Sequence, residues 1–192
     1  MTSDPIGLLA SALDATGRVL ASIREDQWTL PTPCTEWTVR ELAGHLVNGN
    51  DLFTSALGAQ ATGAAVGAEG SITDAYNQSG RELLAAFRQP GALDNSVVVP
   101  FGNVPALAAL HLRITEILVH GWDLARATGQ AASFPEALAE HEPAFSRAKL
   151  GDIPAGRRPF APPQPIADGA PAIDRLAACL GRRVNASGEG NP

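Results

Sequence analysis

Glu116 and His120 stand four residues apart in an otherwise apolar stretch that runs from Leu107 to Leu124. On an α-helix that spacing is about 40° around the axis and one turn along it, so both side chains leave one face. A carboxylate and an imidazole on adjacent turns have the geometry with which helices bind divalent metal ions. Following the face further gives Leu112, Glu116, His120, Asp123 and Ala127. Burying an unpaired carboxylate costs several kcal/mol, so such a stripe needs either solvent or a neutralising partner, and a divalent cation is one such partner. Asp123, three residues past His120, can orient the second ring nitrogen or simply face water. Spacing alone leaves open a plain surface pair.

His45 is the candidate third ligand. It sits in Leu42-Ala43-Gly44-His45-Leu46-Val47 among small and apolar residues, where a lone histidine is either a hydrogen-bonded core residue or a ligand. Joined to the stripe around Glu116 and His120, it completes a three-ligand set with one position left for water or substrate, the pattern of a catalytic metal site. His111 lies more than 100° around the helix from Glu116 and should not share that site. His141, between Glu140 and Glu142, reads as surface. Trp37 and Trp122 read as core or pocket-lining residues whose indole N–H groups need partners. Cys34 has no spacing that supports a nucleophile. Arg113 and Arg126 are available either to a substrate carboxylate or to solvent.

These residues require helices to hold them. Ser3-Asp4-Pro5 is a helix start, and Leu8, Leu9, Ala12, Leu13, Val19, Leu20 and Ile23 then recur at helical spacing, predicting a first helix to about Arg24. Two prolines make Leu30 to Trp37 an extended connection. Thr38-Val39-Arg40-Glu41 is a capping box that opens a helix carrying His45 and running to about Leu57. Gly58 to Gly70 reads as a loop, and Thr73 or Asp74 can cap a third helix ending at Gln89. Val97-Val98-Val99 followed by Pro100-Phe101-Gly102-Asn103 predicts a short strand or hairpin. A long helix then runs from Pro105 through Glu116 and His120 and closes at Gly129. A fifth helix is expected over Pro135 to about Leu150. Beyond Gly151, six prolines from Pro154 to Pro171 impose an extended arm, with one short helix over Ile173 to Leu180 and a frayed end from Ser187 to Pro192. The expected organisation is a metal-binding helical bundle over 1–150 and a proline-rich arm over 151–192 packed on it.

Bulk properties agree with that outline. Hydrophobic residues make up 45%, mostly Ala and Leu with few aromatics, which favours packed helices over a sheet. The formal net charge of −6 gives no basic footprint for nucleic acid or an anionic membrane. No apolar run approaches the roughly 18 residues that cross a bilayer. The start, Met1-Thr2-Ser3-Asp4-Pro5, lacks the basic and apolar regions of a signal peptide. Cys34 and Cys179 are the only cysteines and are far apart, arguing against a disulfide framework or a cysteine-based zinc site. The expected setting is the cytoplasm.

Two stretches carry a family resemblance. Pro33-Cys34-Thr35-Glu36-Trp37-Thr38-Val39-Arg40-Glu41-Leu42-Ala43-Gly44-His45-Leu46-Val47 resembles the N-terminal signature of mycothiol-dependent maleylpyruvate isomerase and its actinobacterial relatives, within the wider DinB/YfiT-like metalloenzyme group. Glu116-Ile117-Leu118-Val119-His120-Gly121-Trp122-Asp123-Leu124-Ala125-Arg126-Ala127-Thr128-Gly129 resembles the second ligand-bearing helix of that family. The tail, from Phe160-Ala161-Pro162-Pro163 through Asp174-Arg175-Leu176 to Leu180-Gly181-Arg182, looks like the ending of its short-chain subgroup. The resemblance implies an all-α, DinB-like four-helix bundle, with the short hairpin and extended arm added. Its metal would be held by His45, Glu116 and His120. In the characterised isomerase the metal is zinc and a low-molecular-weight thiol is the cofactor. That isomerase also has a C-terminal domain that helps bind the thiol, for which this chain is too short.

Three functions follow as alternatives. The leading one is a metal-dependent transferase or isomerase acting on a small molecule with a small, mycothiol-type thiol. The second is a non-catalytic metal-containing module for a ligand or partner, and the third a bundle without metal. Two imidazoles and one carboxylate suit zinc, while nickel, iron or manganese fit the same ligands. A homodimer is compatible with the sequence, and neither nucleic acid nor membrane is an expected partner.

Overall fold

The two strongest capping signals both begin helices. In the computed structural model, which describes residues 4–63, 71–100, 102–131, 134–136, 138–139 and 161–184, Asp4 caps α1 (Pro5–Ala21). Its carboxylate accepts from the Ile6 N–H at 3.1 Å. Thr38 caps α2 (Val39–Ala56): the Thr38 N–H donates to the Glu41 carboxylate at 2.8 Å, and the Glu41 N–H donates back to the Thr38 hydroxyl at 3.4 Å. The remaining described helices are α3 (Ile72–Phe87), α4 (Ala106–Ala127) and α5 (Ala172–Cys179). An antiparallel hairpin pairs β1 (Ser96–Val99) with β2 (Gly102–Pro105), Val97 opposite Val104. Val97 and Val99 are buried and Val98 is exposed, the period of two expected of a half-covered strand.

Helix boundaries differ from the sequence expectation at the end of α1 and at both ends of α3, which stops at Phe87 rather than Gln89. The first helix stops at Ala21 rather than Arg24 and gives way to a 3₁₀ turn at Glu25–Gln27. That turn points the Gln27 amide at the Thr128 carbonyl, to which it donates at 2.9 Å. Helix α3 begins at Ile72, with Ser71 and not Thr73 or Asp74 at the cap, and so brings Ile72 into the core. The expected short helix after the prolines is α5, shifted by one residue. The helix expected from Pro135, apart from 134–136 and 138–139, lies outside the described residues. So do His141, the first prolines of the arm, the end from Ser187, and 64–70 of the loop after α2.

The result is a mostly helical bundle. Helix α1 packs against α4 and α3, α2 packs against α3 and α4, and α5 rests on α4. Three hydrogen bonds tie the start of the chain to α4 and its end: the Thr16 hydroxyl donates to Ile117 O (3.1 Å), Gln27 to Thr128 O, and the Gln130 amide to Val19 O (3.1 Å). Leu42 and Leu46 on α2, and Leu110, Ile114 and Ile117 on α4, are fully buried. At about 1.5–3 kcal/mol for each such side chain, their burial fixes the rotation of both helices and thereby where His45, Glu116 and His120 emerge. Among the described residues, no helix is long and apolar enough to cross a membrane.

Candidate metal centre

The connection before α2 forms one wall of the site. Its backbone is tied down where the prolines remove donors: the Val39 and Arg40 N–H groups, unpaired at a helix start, donate to Leu30 O (2.9 Å) and Trp28 O (3.0 Å). The Thr32 hydroxyl bonds to the carbonyls of Cys34 (2.9 Å) and Trp37 (2.8 Å). Trp37 is thereby laid on His45, the rings stacked with centroids 4.3 Å apart and an interplanar angle of 25°. His120 meets both edge-on, its centroid 5.2 Å from that of His45 and 6.0 Å from that of Trp37.

His45, Glu116 and His120 line one cleft of about 630 Å³, together with Cys34, Trp37, Glu36 and, from the C-terminal segment, Ala161, Pro162 and Leu180 to Arg182. His111 does not line it. Burial, followed by the nearby imidazole of His120, lowers the His45 pKa to about 4, so this ring is neutral at physiological pH and keeps a lone pair.

A pH dependence follows from that shift. The folded-state pKa lies below the ordinary 6.5, so the unfolded chain binds the proton more readily. In metal-free protein this term is absent above about pH 6.5 and destabilises progressively towards pH 4, by on the order of 2–3 kcal/mol. Thermal melts of chelator-treated protein across that range should show a steeper acid loss in the parent than in His45→Gln. Parallel curves would refute it.

Two polar networks hold the α4 side chains. Arg113 is completely buried, and its guanidinium donates to Asn50 Oδ1 from Nε (3.0 Å) and Nη2 (2.9 Å), to Leu46 O (2.6 Å) and to Glu116 Oε2 (3.0 Å). Asn50 in turn donates to Ser79 on α3 at 3.0 Å. Glu116 is thus steered from α2 as well as from its own helix. The second network backs His120: Nδ1 lies 3.1 Å from Asp123 Oδ2, and Asp123 is gripped by Arg182 at 3.2 Å (Nε to Oδ1) and 2.9 Å (Nη2 to Oδ2). Of the two readings of Asp123 offered by the sequence, orienting the ring is the one observed. Neither Arg113 nor Arg126 faces the cleft. Arg126 lies over the Trp122 ring and pairs with Asp174, which also accepts the Trp122 indole N–H at 2.6 Å.

Spacing gave no sign of Cys34, Asn50 or Arg182. Among the described residues, the three whose ligand atoms all lie within 4.8 Å of one another are Cys34, His120 and Asp123. Burial raises the Cys34 thiol pKa, and both Asp123 oxygens are already bonded to Arg182, so two of these three are poorly disposed to ligate. His45, Glu116 and His120 share the cleft without that mutual closeness, and the Glu116 carboxylate is turned towards Arg113. The donor set nonetheless fits a divalent ion. It offers a neutral imidazole, a carboxylate, and a second imidazole whose other nitrogen rests on a carboxylate, as metal-bound histidines usually do.

Comparison with known proteins places the chain in a family. The family of the mycothiol maleylpyruvate isomerase N-terminal domain matches residues 9–125. Two Mycobacterium tuberculosis proteins, the uncharacterized protein MT0763 of strain CDC 1551 / Oshkosh and the uncharacterized protein Rv0738 of strain ATCC 25618 / H37Rv, are each 36% identical to this chain over 182 residues. The alignments cover 94% of this chain and 99% of each relative. No solved structure matches the chain significantly.

Proposed function

Because the chain belongs to the family of the mycothiol maleylpyruvate isomerase N-terminal domain, we propose that it is a metal-dependent enzyme that uses a small, mycothiol-type thiol in a transfer or isomerisation reaction. The observation that carries this reading is the cleft into which His45, Glu116 and His120 all open, with His120 backed by Asp123. The mutual packing of α1, α2, α3 and α4 supports a DinB-like four-helix arrangement around it.

His45, Glu116 and His120 would hold the ion, zinc by donor type. When bound it supplies Lewis acidity that lowers the pKa of a thiol or water beside it. The chain's own groups do the rest. His45 offers a lone pair because burial keeps it neutral, and Trp37 restricts its ring to one orientation by stacking. Arg113 directs the Glu116 carboxylate and balances its charge, while Asp123 directs the His120 ring. Glu36, an exposed carboxylate on the cleft wall, would be the acceptor for the proton of an entering thiol. Pro33, Ala161, Pro162 and Leu180 give the cleft apolar surface for the electrophile.

The test is thiol consumption. Zinc-loaded protein, made without a metal-binding tag, is mixed with mycothiol, cysteine or glutathione and a soluble electrophile such as a haloarene or an unsaturated diacid. Loss of free thiol or isomerisation of the diacid should exceed the uncatalysed rate by at least about a hundredfold and stop when the metal is chelated. Retained zinc with no acceleration by any thiol would make this a metal-containing binding module.

A further inference from the structure

Arg182 hydrogen-bonds into the His120 network from a part of the chain beyond the 9–125 family match. The route by which it gets there is well defined. Helix α5 is fastened to α4 by the Trp122–Asp174 bond, and its first N–H, that of Ala172, donates to Glu136 at 2.9 Å. Leu176, Ala177 and Leu180 are completely buried. Helix α5 then closes in a Schellman turn: the Gly181 N–H donates to Ala178 O and the Arg182 N–H to Ala177 O, both at 3.0 Å. Gly181 has φ +89°, and a Cβ there would come within 2.8 Å of Ala161 O, so both the turn and the chain packed against it require glycine.

The turn delivers Arg182 with its guanidinium fully oriented. Nε and Nη2 take the two Asp123 oxygens, and Nη1 donates to Leu180 O at 2.9 Å. A carboxylate is an acceptor towards the imidazole, and the two bonds from Arg182 hold it facing Nδ1. The Nδ1 of neutral His120 must then carry the ring hydrogen, leaving the Nε2 lone pair for the cleft.

We propose that Arg182 is a positioning residue: acting through Asp123, it selects the Nδ1–H tautomer of His120 and thereby presets the ring to bind a metal ion. The C-terminal segment is in this sense a working part of the centre. The tautomer stands on the geometry alone, whereas the benefit to metal binding rests on the proposed function.

Ring nitrogen-15 spectra of the metal-free protein at mildly alkaline pH separate the two. His120 should be almost entirely the Nδ1–H form in the parent. Both tautomers should be populated in Arg182→Gln, where Asp123 is no longer held against the ring and can turn away, and in the double variant Asp123→Asn with Arg182→Gln, where an amide faces it. The double variant removes both charges and so leaves no buried carboxylate unpaired, which protects its fold. Zinc affinity, measured by competition with a chelator, should fall about 10–100-fold in these variants and recover in part with Arg182→Lys. An unchanged tautomer in the variants would overturn the proposal, even if they were less stable. A tautomer shift with no zinc bound by any form, parent included, would support the positioning and overturn only the metal reading.

Discussion

Replacing His120 with alanine is expected to leave a folded protein that no longer retains zinc. His120 is buried, yet its loss strands no charge, because Arg182 still holds both oxygens of Asp123. The stability cost should therefore be that of one lost hydrogen bond and a modest void, about 1–3 kcal/mol. The effect on metal should be much larger. Residues that merely support a ligand are worth about 10–100-fold in affinity, and a ligand itself should exceed that. Elemental mass spectrometry after zinc incubation and dialysis should find near one equivalent in the parent and less than about a tenth of that in His120→Ala. His45→Ala and Glu116→Gln should behave alike, and Cys34→Ser should keep its metal. Loss in Cys34→Ser with retention in His45→Ala would move the centre to Cys34, His120 and Asp123. No metal in the parent would end the metal reading.

Arg113→Ala is expected to be the most destabilising single change near the site. The guanidinium makes four hydrogen bonds with no solvent contact, spanning α2 and α4 and, through Asn50, reaching α3. Removing it frees Glu116, which is about a quarter exposed and can rehydrate. The loss comes instead from Asn50 Oδ1 and from the cavity, since Asn50 is completely buried. Breaking such a buried charged network costs about 3–5 kcal/mol, a fall in Tm on the order of 10 °C for a chain of this size. Gly49→Ala should reproduce much of this, because a Cβ at Gly49 would stand 2.7 Å from the Arg113 Cζ and the pinned guanidinium has nowhere to go. Thermal melts decide the matter. A drop under about 2 °C for Arg113→Ala would show that the network is dispensable.

The sequence makes the local half of this centre legible. Glu116, His120 and Asp123 declare themselves because a helix places residues three and four apart on one face, and a Thr-x-x-Glu box announces the helix that carries His45. Arg113 lies on the same helix, one turn before Glu116, but its meaning is hidden. Its partner Asn50 is 63 residues away, and nothing local separates a buried guanidinium from an exposed one. Arg182 is hidden for the same reason, 59 residues from Asp123. Cys34 reaches the cleft only because of the fold of a proline-rich connection. The start of α3 departs from the expected Thr73 or Asp74 cap because burial of Ile72 extends the helix back to Ser71, whose side chain makes no capping bond, a tertiary effect that local cap chemistry does not show.

The pairing of α1 with α4 also sets the order of events during synthesis. The contacts that seat Thr16 on Ile117 and Val19 on Gln130 join positions 101 and 111 residues apart. While the ribosome is still making the hairpin, α1 can pack on α3, but the apolar side it will turn to α4 stays bare. Closing so long a loop is slow compared with forming the helices themselves, so the nascent chain waits with that surface open. Because α4 also carries Glu116 and His120, and Arg182 follows later still, neither the core nor the cleft around these residues is complete before the end of the chain has been made.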